Sequence, residues 1–329
     1  MPFSFPNIQE SCHFNRSPFP PGGTIPSFNL LVILGSTASG KTRAAVQAAR
    51  TLRGEIISAD SRQVYRGMDI GTGKDLAEYG DVPYHLIDIV GPNHEFSVFE
   101  FRKRFIEAFL RIQARGRLPL LVGGTGLYLE AVLKGYRLME VPPDEELRKH
   151  LASFSLPDLA ARLNEANPSL HNTTDLLHRE RVIRAIEIAE FKIGAQDSSP
   201  PPDLEPFVFG IRWPREMLHQ RIARRLRERM EQGLIEEVRK LHKAGVSFER
   251  LDLLGLEYRY AAMYLKGLIN KNDMFLKLNS AIRQFAKRQD TWFRRMERQG
   301  VRIRWVEGKQ NPAVAILEML KNERLLGDF

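Results

Sequence analysis

The chain is short of cysteine, of long apolar runs and of negative charge. Its 329 residues include a single cysteine, Cys12, which excludes an intrachain disulfide and a cysteine-based zinc site. No apolar run approaches the roughly 18–20 residues that a membrane-spanning helix needs, and residues 1–27 lack the apolar core of a signal peptide. We therefore expect a protein of the reducing cytoplasm without membrane contact, with residues 1–27 as a flexible tail.

The excess of positive charge is concentrated in two segments. The net charge is +9, from 49 Lys and Arg against 40 Asp and Glu, and seven arginines lie between Arg212 and Arg229. A second cluster, with aromatic residues among its members, comprises Arg283, Lys287, Arg288, Trp292, Phe293, Arg294, Arg295 and Arg298. A solvated helix face is the usual meaning of one such cluster. Two clusters with interleaved aromatics favour a nucleic acid partner, without choosing between RNA and DNA.

Short apolar runs alternate with helical patterns in the first half of the chain. Strands are predicted at Leu30–Leu34, Glu55–Ser58, His85–Ile89 and Leu118–Val122, and helices at Thr42–Leu52 and Phe99–Arg115. This alternation predicts an α/β fold, with a parallel sheet flanked by helices. Farther along the chain, Phe207–Ile211 predicts a returning strand, beyond which only helices are expected.

A change of pattern in the middle of the chain predicts an insertion. We expect a core domain formed by residues 28–135 and 204–322, interrupted by a small, mostly helical insertion with its linker at residues 136–203. Within it, Pro143–Arg148 is typical of a helix start, because a proline is followed by acidic residues in the first turn. The proline- and serine-rich segment Ser198–Asp203 is typical of a linker.

A phosphate-binding motif follows the first predicted strand. The segment Gly35-Ser36-Thr37-Ala38-Ser39-Gly40-Lys41-Thr42 fits the pattern G-x-x-x-x-G-K-[ST] between a strand and a helix. In such loops, backbone N–H groups surround phosphate oxygens, Lys41 supplies a positive charge and the Thr42 hydroxyl is placed for Mg²⁺. The loop predicts a diphosphate site but does not identify a nucleotide.

Two further motifs lie directly after predicted strands, Asp60-Ser61-Arg62-Gln63 and Gly123-Gly124-Thr125-Gly126. Ligands of parallel sheets bind beyond the carboxyl ends of the strands, so both motifs are expected to share a cleft with the phosphate loop. Asp60 can hold Mg²⁺ there or accept a proton from an incoming nucleophile; an ordinary turn or N-cap aspartate is the alternative. Thr125 can line the cleft or form a plain turn. Arg221 and Arg225, spaced i, i+4, can clamp an anion or lie on the surface.

The phosphate loop is the first of a series of motifs along the chain. The others are Asp60–Thr72, His85–Asp88, Val122–Tyr128, Arg184–Glu187, Gly255–Arg259 and Ala286–Arg294. Over about residues 29–307, this series resembles the tRNA dimethylallyltransferase family. The phosphate loop alone is widespread, whereas the aspartate motif and the Lys287–Arg294 motif together are specific.

The resemblance implies a reaction and a set of residue roles. A dimethylallyl group would pass from dimethylallyl diphosphate to the exocyclic N6 amine of the adenosine 3′ of the tRNA anticodon, on a Mg²⁺-dependent enzyme. Separately from the resemblance, we expect a monomer, because nothing like a coiled coil or an exposed repeat calls for a dimer. Asp60 would be the base, Thr37, Lys41 and Arg221 would stabilise the departing diphosphate, and Thr125 and Arg148 match sites important for catalysis. Contacts with the anticodon stem-loop are implied for Asp60, Ser61, Arg62, Gln63, Glu180, Arg181, Arg184, Gly255, Tyr258, Arg259, Lys287, Arg288, Gln289, Trp292 and Arg294. Trp292 or Phe293 could stack on a base or simply pack in a core.

Two other functions stay open on the sequence alone. One is a kinase or prenyltransferase that acts on free adenine nucleotides, and the other is an RNA-binding protein with a nucleotide switch. The Lys287–Arg294 motif and the basic C-terminal helices argue against the first, because neither serves a mononucleotide.

Overall fold

The computed structural model describes residues 28–136, 141–166, 176, 179–191 and 202–323, which divide into two compact units. The larger unit is formed by residues 1–136 and 202–329, and the smaller one by residues 137–201. The predicted tail, residues 1–27, and residues 198–201 of the predicted linker lie outside the described residues. No helix in the described part of the chain is long and apolar enough to cross a membrane.

A parallel sheet forms the centre of the larger unit. Its strands in the described residues are β1 (Leu30–Gly35), β2 (Gly54–Ala59), β3 (Tyr84–His85), β4 (Leu118–Gly123), β5 (Pro206–Arg212) and β6 (Ile303–Glu307). The strand order is β3-β2-β4-β1-β5-β6, and every neighbouring pair is parallel. The register pairs Ile33 of β1 with Val122 of β4 and with Phe209 of β5. The predicted α/β fold is confirmed.

Helices cover both faces of the sheet and continue beyond it. In the described residues of the larger unit they are α1 (Lys41–Leu52), α2 (Val98–Ala114), α3 (Gly126–Leu133), α7 (Arg215–Glu231), α8 (Leu234–Lys243), α9 (Phe248–Leu253), α10 (Leu256–Leu265), α11 (Lys271–Arg298) and α12 (Pro312–Asn322). The helices α4 (Glu145–Leu151), α5 (Leu156–Ala166) and α6 (Arg179–Glu190) belong to the smaller unit. Residues of β1, β2 and β4 are buried on both faces, as expected for a sheet between two helical layers. One layer contains α1 and α12, and the other contains α2, α3 and the end of α11.

Two predictions about strands are wrong in detail. The predicted strand His85–Ile89 is reduced to Tyr84–His85, because Leu86 and Asp88 take left-handed backbone angles with φ of 63° and 56°. The expectation of only helices after β5 fails at β6, a short strand on the edge of the sheet. Short edge strands carry a weak sequence signal because only part of each face is buried.

The smaller unit is helical where it is described, and it has its own apolar core. Leu151 of α4, Leu159 and Leu163 of α5, and Val182 and Ile186 of α6 are fully buried together. The pattern of apolar residues along these helices therefore follows the helical period that the sequence shows.

A single carboxylate holds the loop that follows the Asp60 motif. Glu237 of α8 accepts hydrogen bonds from the backbone N–H groups of Asp69, Ile70 and Gly71 at 2.7–2.9 Å. It also accepts one from the hydroxyl of Tyr258 at 2.7 Å. Tyr258 is only 1% exposed, and burial raises the pKa of its hydroxyl well above the ordinary value. This carboxylate ties the loop after β2 to the helices α8 and α10.

We expect Glu237→Gln to lower the free energy of unfolding by about 2–3 kcal/mol, because each Glu237 oxygen accepts two hydrogen bonds and an NH₂ group accepts none. Urea denaturation of the purified protein measures this change. Glu236→Gln is the matched control, since Glu236 is exposed and pairs with Arg239 at the surface, where a change within about 0.5 kcal/mol is expected. Equal losses for the two variants would contradict the assigned role of Glu237.

Candidate active site

Three loops at the carboxyl ends of β1, β2 and β4 are joined by hydrogen bonds. The hydroxyl of Thr125 accepts the backbone N–H of Ser61 at 3.0 Å, and the backbone N–H of Thr125 donates to Ala59 at 3.2 Å. Gln289 of α11 accepts the backbone N–H of Thr37 at 2.8 Å and donates to the carbonyl of Gly124 at 2.8 Å. The phosphate loop, the Asp60 motif and the Thr125 loop therefore form one site.

The phosphate loop has the backbone shape of an anion cradle. Ala38 and Gly40 take left-handed angles, with φ of 61° and 85°, and Ser39 donates its N–H back to the carbonyl of Ser36 at 3.2 Å. Left-handed residues turn successive peptide groups so that N–H groups face one side and carbonyls the other. The hydroxyl of Ser39 is buried, and no hydrogen-bond partner for it is found in the described residues. This hydroxyl lies against Gly35, 2.7 Å from the position that a Cβ of that residue would occupy.

Lys41, at the start of α1, lies in a positive and poorly solvated environment. The pKa of its ammonium is lowered to about 8: burial lowers it most, the Asp60 carboxylate opposes this, and Arg225 and Arg229 add to the lowering. A diphosphate bound there would favour the charged ammonium.

One face of α7 carries three arginines at four-residue intervals toward this site. Arg221 donates to the carbonyl of Ala38 at 2.8 Å. Arg225 donates to the carbonyl of Gly73 at 3.2 Å, and Arg229 donates to the carbonyl of Gly71 at 3.1 Å. The guanidinium of Arg229 is almost fully buried, and burial lowers its pKa. Arg225 also pairs with Asp75 at 2.6 Å and Arg229 with Glu257 at 2.9 Å, whereas no carboxylate partner of Arg221 is found in the described residues. Arg221 is therefore the member of this row that is best suited to bind an anion.

The pKa of Lys41 leads to a pH-dependent affinity for diphosphate. Below pH 8 the free protein carries the Lys41 charge, and above pH 8 it loses this charge before the ligand arrives. We therefore expect the affinity for Mg²⁺-pyrophosphate to fall by up to about tenfold per pH unit above pH 8, with proton uptake on binding. Calorimetry in buffers of different ionisation enthalpy measures both quantities. The same decline in Lys41→Met would assign the pH dependence to the ligand instead.

Asp60 directly follows β2 and is partly exposed at the site. One of its carboxylate oxygens, Oδ1, accepts the backbone N–H of Arg62 at 2.9 Å. This short contact fixes the turn and orients the side chain, as an aspartate at a tight turn commonly does. Because the carboxylate is partly solvated and held in place, it can accept a proton from a group that enters the site.

Comparison with known proteins matches this arrangement to one family. The family model described as IPP transferase matches residues 63–296, and the model described as isopentenyl transferase matches residues 28–79. The protein named tRNA dimethylallyltransferase 1 from Geotalea uraniireducens (strain Rf4) is 62% identical over 295 residues, which cover 90% of this chain and 98% of that protein. The chain belongs to the tRNA dimethylallyltransferase family.

Solved structures agree with this assignment. The full-length tRNA isopentenylpyrophosphate transferase from Bacillus halodurans is 35% identical with a TM-score of 0.65, over 90% of this chain and 97% of that one. A eukaryotic dimethylallyltransferase described as acting on tRNA has a TM-score of 0.72 over 90% of this chain and 79% of that one. Its identity of 24% shows a shared fold alone.

Several family-motif residues of the larger unit form hydrogen bonds within the protein or pack in its core. Gln63 is buried and accepts the hydroxyl of Ser58 at 3.0 Å, and Trp292 donates its indole N–H to Glu130 at 2.8 Å. Phe293 is fully buried and packs in the core, which decides between the two alternatives stated for it. Tyr258 and Gln289 are also buried and engaged, as described above. Their predicted contacts with tRNA stay predictions.

Other family-motif residues present their side chains to solvent. Arg259, Lys287, Arg288 and Arg294 are exposed, whereas Ser61, Arg62 and Gly255 are partly exposed. The exposed cations of α11 flank Gln289, which itself contacts the phosphate loop.

The smaller unit holds the four predicted residues Arg148, Glu180, Arg181 and Arg184. Arg148 forms a two-pronged pair with the buried Glu187, at 2.7 Å and 3.1 Å, and Arg184 pairs with the same carboxylate at 2.9 Å. Burial is the largest single influence on the pKa of Glu187 and raises it. The hydrogen bonds and ion pairs of this carboxylate, above all those with Arg148 and Arg184, together outweigh burial, so the pKa is lowered overall. Glu180 and Arg181 are exposed. In this family member, Arg148 is thus anchored within its own unit.

Sequence reasoning missed three residues that shape the site. Trp213, after β5, donates its indole N–H to the carbonyl of Ser39 at 2.9 Å. Lys74 is 1% exposed, and its ammonium donates to the carbonyl of Tyr65 at 2.8 Å and to Asp69 at 2.7 Å. Glu237 holds the neighbouring loop. Trp213 and Glu237 bind groups 174 and 166–168 positions away in the chain, so no local pattern points to them. Lys74 binds groups five and nine positions earlier, but nothing in the pattern of that segment shows that its side chain is buried.

Proposed function

We propose that this family member transfers a dimethylallyl group from dimethylallyl diphosphate to the N6 amine of the adenosine on the 3′ side of the tRNA anticodon. Prenylation of tRNA is the activity of the family to which the chain belongs. Asp60 directly precedes Ser61, and hydrogen bonds join Ser61 to the Thr125 loop and the Thr125 loop, through Gln289, to the phosphate loop. This network supports the finer assignment, with Asp60 as the proton acceptor and the phosphate loop as the diphosphate site.

The proposed reaction needs one group at each end of the transfer. The amine nitrogen forms a bond to C1 of the dimethylallyl group while the bond from C1 to the diphosphate oxygen breaks, and the diphosphate leaves with the bonding electron pair. An adenine amine is a poor nucleophile because its lone pair is conjugated with the ring, so removal of its proton during attack helps. The Asp60 carboxylate takes that proton.

The negative charge that develops on the diphosphate is met by cations already in place. Lys41 and Arg221 lie at the loop, and Arg225 and Arg229 add to its positive field. Fixed cations and N–H groups in a poorly solvated site stabilise the transition state because they need no reorganisation. The loop and α7 therefore act on the leaving group, and Asp60 acts on the acceptor.

The phosphate loop fits Mg²⁺ as a partner of the diphosphate. Thr42 offers a hydroxyl at the loop, and Mg²⁺ in phosphate sites commonly takes one or two protein ligands together with phosphate oxygens and waters. Within the described residues, no group of three or more His, Cys, Asp or Glu side chains could hold a metal ion. When bound, Mg²⁺ would neutralise charge on the diphosphate oxygens.

A base cannot reach Asp60 while stacked in an anticodon loop, so extrusion of the adenosine is expected. The exposed cations Lys287, Arg288 and Arg294 of α11 and Arg259 of α10 are suited to the phosphates of the stem-loop. Extrusion would place the amine near Asp60, Ser61 and Arg62. That the protein acts as a monomer stays a prediction.

The test is incubation of the protein with labelled dimethylallyl diphosphate, Mg²⁺ and unmodified tRNA that carries adenosine 3′ of its anticodon. Nuclease digestion and mass spectrometry then identify the nucleoside that gained the five-carbon group. Label in that adenosine supports the proposal, and tRNA with guanosine at the same position is the control. Label on AMP in a parallel reaction, with none in tRNA, would assign the protein to enzymes that modify free nucleotides.

A further inference from the structure

Two side chains from beyond β5 bind the outer side of the phosphate loop. The indole N–H of Trp213 donates to the carbonyl of Ser39 at 2.9 Å, and Nε of Arg221 donates to the carbonyl of Ala38 at 2.8 Å. The two side chains also contact each other, because the guanidinium of Arg221 lies 4.2 Å from the centre of the Trp213 ring. Trp213 is therefore linked to the loop directly and through Arg221.

The direction of the Ser39 carbonyl determines what the inner side of the loop offers. A trans peptide group points its carbonyl and its N–H in opposite directions, so an outward carbonyl at Ser39 turns the N–H of Gly40 inward. Ala38 has φ of 61°, which a non-glycine residue rarely adopts, and Gly40 has φ of 85°, one of several conformations open to glycine. A hydrogen bond to the Ser39 carbonyl is thus a means of keeping this peptide group from turning over.

The position of Trp213 is itself tightly defined. A Cβ atom on Gly308, which follows β6, would lie 2.0 Å from the indole nitrogen, so only glycine leaves room for the ring. Gly308 is fixed by the hydrogen bond from its N–H to the carbonyl of Arg212 at 2.8 Å. The indole also packs against apolar side chains from the α1 layer of the sheet and from the α7–α11 helices.

The indole ring also determines where Arg221 points. Nε of Arg221 donates to the carbonyl of Ala38. Nη2 of Arg221 lies 3.5 Å from the position that a Cβ of Gly40 would occupy, at the edge of the loop. A guanidinium over an aromatic face is held by the attraction between the cation and the π electrons. The ring thus presents the remaining guanidinium donors of Arg221 to a ligand in the loop.

We propose that Trp213 is a positioning residue for the diphosphate: its N–H holds the Gly40 N–H toward the ligand, and its ring holds Arg221 beside it. This inference rests on the proposed diphosphate site. It goes beyond the family motifs, because Trp213 belongs to none of them.

Substitutions at Trp213 separate the two contacts. Trp213→Phe keeps an aromatic face and removes the N–H, and Trp213→Leu removes both. We expect the dissociation constant of Mg²⁺-pyrophosphate, measured by calorimetry, to rise about fivefold for Trp213→Phe and about 30-fold for Trp213→Leu. Trp305→Phe is the matched control, since it also removes an indole hydrogen bond, the one to Glu297 at 2.8 Å, in β6. That variant should bind as the wild type does.

Coupling with Arg221 distinguishes positioning from general loss of structure. In an Arg221→Ala background the ring has no guanidinium to hold, so Trp213→Leu should weaken binding only about as much as Trp213→Phe does alone. Tryptophan fluorescence gives a second readout, because pyrophosphate should change the emission of the wild type and of Trp305→Phe but not that of Trp213→Phe.

Failure of the inference is separable from failure of the proposed function. Wild-type binding of pyrophosphate with unchanged binding by Trp213→Phe and Trp213→Leu would overturn the role of Trp213 and leave the diphosphate site intact. Fully additive effects of Trp213→Leu and Arg221→Ala would overturn the part played by the ring. Absence of pyrophosphate binding by the wild type would overturn the site and the inference together.

Discussion

Replacement of Asp60 by asparagine is expected to lower kcat for tRNA prenylation by about 10³-fold. Asparagine keeps an Oδ1 atom that can accept the backbone N–H of Arg62, the contact that measures 2.9 Å here, so the turn is retained. An amide cannot take the proton of the attacking amine, so the chemical step slows. The dissociation constants of tRNA and dimethylallyl diphosphate should stay within about threefold of the wild-type values. Such a result would show that Asp60 stabilises the transition state and contributes little to substrate binding.

The measurement is single-turnover transfer of label to tRNA at pH 7, where Lys41 is charged in the wild type. This pH matters because Asp60 raises the pKa of Lys41, so the variant would lose the Lys41 charge at a lower pH. Asp81→Asn is the control, since Asp81 is an exposed carboxylate that pairs with Arg50 at 2.9 Å on the surface. Turnover by Asp60→Asn within a few-fold of the wild type would remove Asp60 as the base.

Features that depend on neighbouring residues could be predicted from the sequence. The buried strand β1, the glycine-rich loop and the start of α1 form one continuous segment, and the apolar run, the glycines and the Lys41-Thr42 pair each constrain it locally. The parallel sheet followed from strands that alternate with helices, and it in turn placed Asp60 and Thr125 at the same edge as the loop.

Features that depend on distant pairs could not be predicted. Gln289 reaches Thr37 across 252 positions of the chain, and Trp213 reaches Ser39 across 174. A glutamine or a tryptophan in a helical or strand-end pattern gives no sign of its partner, because a hydrogen bond depends on tertiary position and leaves no periodicity. For the same reason the motifs that contain Gln63 and Tyr258 give no sign that both side chains are buried.

The burial of these side chains suggests a division of work within the motifs. Gln63, Tyr258 and Gln289 hold the loops at the carboxyl edge of the sheet, whereas Lys287, Arg288 and Arg294 remain exposed. Gln289 connects the two sets of residues, because it lies next to the exposed cations in α11 and contacts the phosphate loop. The exposed cations of α11 thus share a helix with Gln289, which fixes the phosphate loop.

Replacement of Lys41 by methionine is expected to lower kcat/KM for dimethylallyl diphosphate by about 10²–10³-fold. Methionine keeps most of the length and the apolar stem of lysine, so the partly buried position stays filled while the charge is removed. Because the folded protein lowers the pKa of Lys41 to about 8, the charged form is held there at a cost that the methionine variant does not bear. The variant should therefore be at least as stable as the wild type at pH 7, which separates loss of function from loss of folding.

Arg43→Met is the matched control for Lys41→Met. Arg43 lies two residues farther along α1, its side chain is 77% exposed, and its contact with Glu78 measures 3.9 Å. The substitution Arg43→Met removes the same formal charge near the loop without changing a residue of the proposed diphosphate site. Steady-state kinetics and thermal unfolding of both variants make the comparison. If the two variants lost kcat/KM to the same extent, the general positive field of the unit would be responsible, and Lys41 would have no specific place at the leaving group.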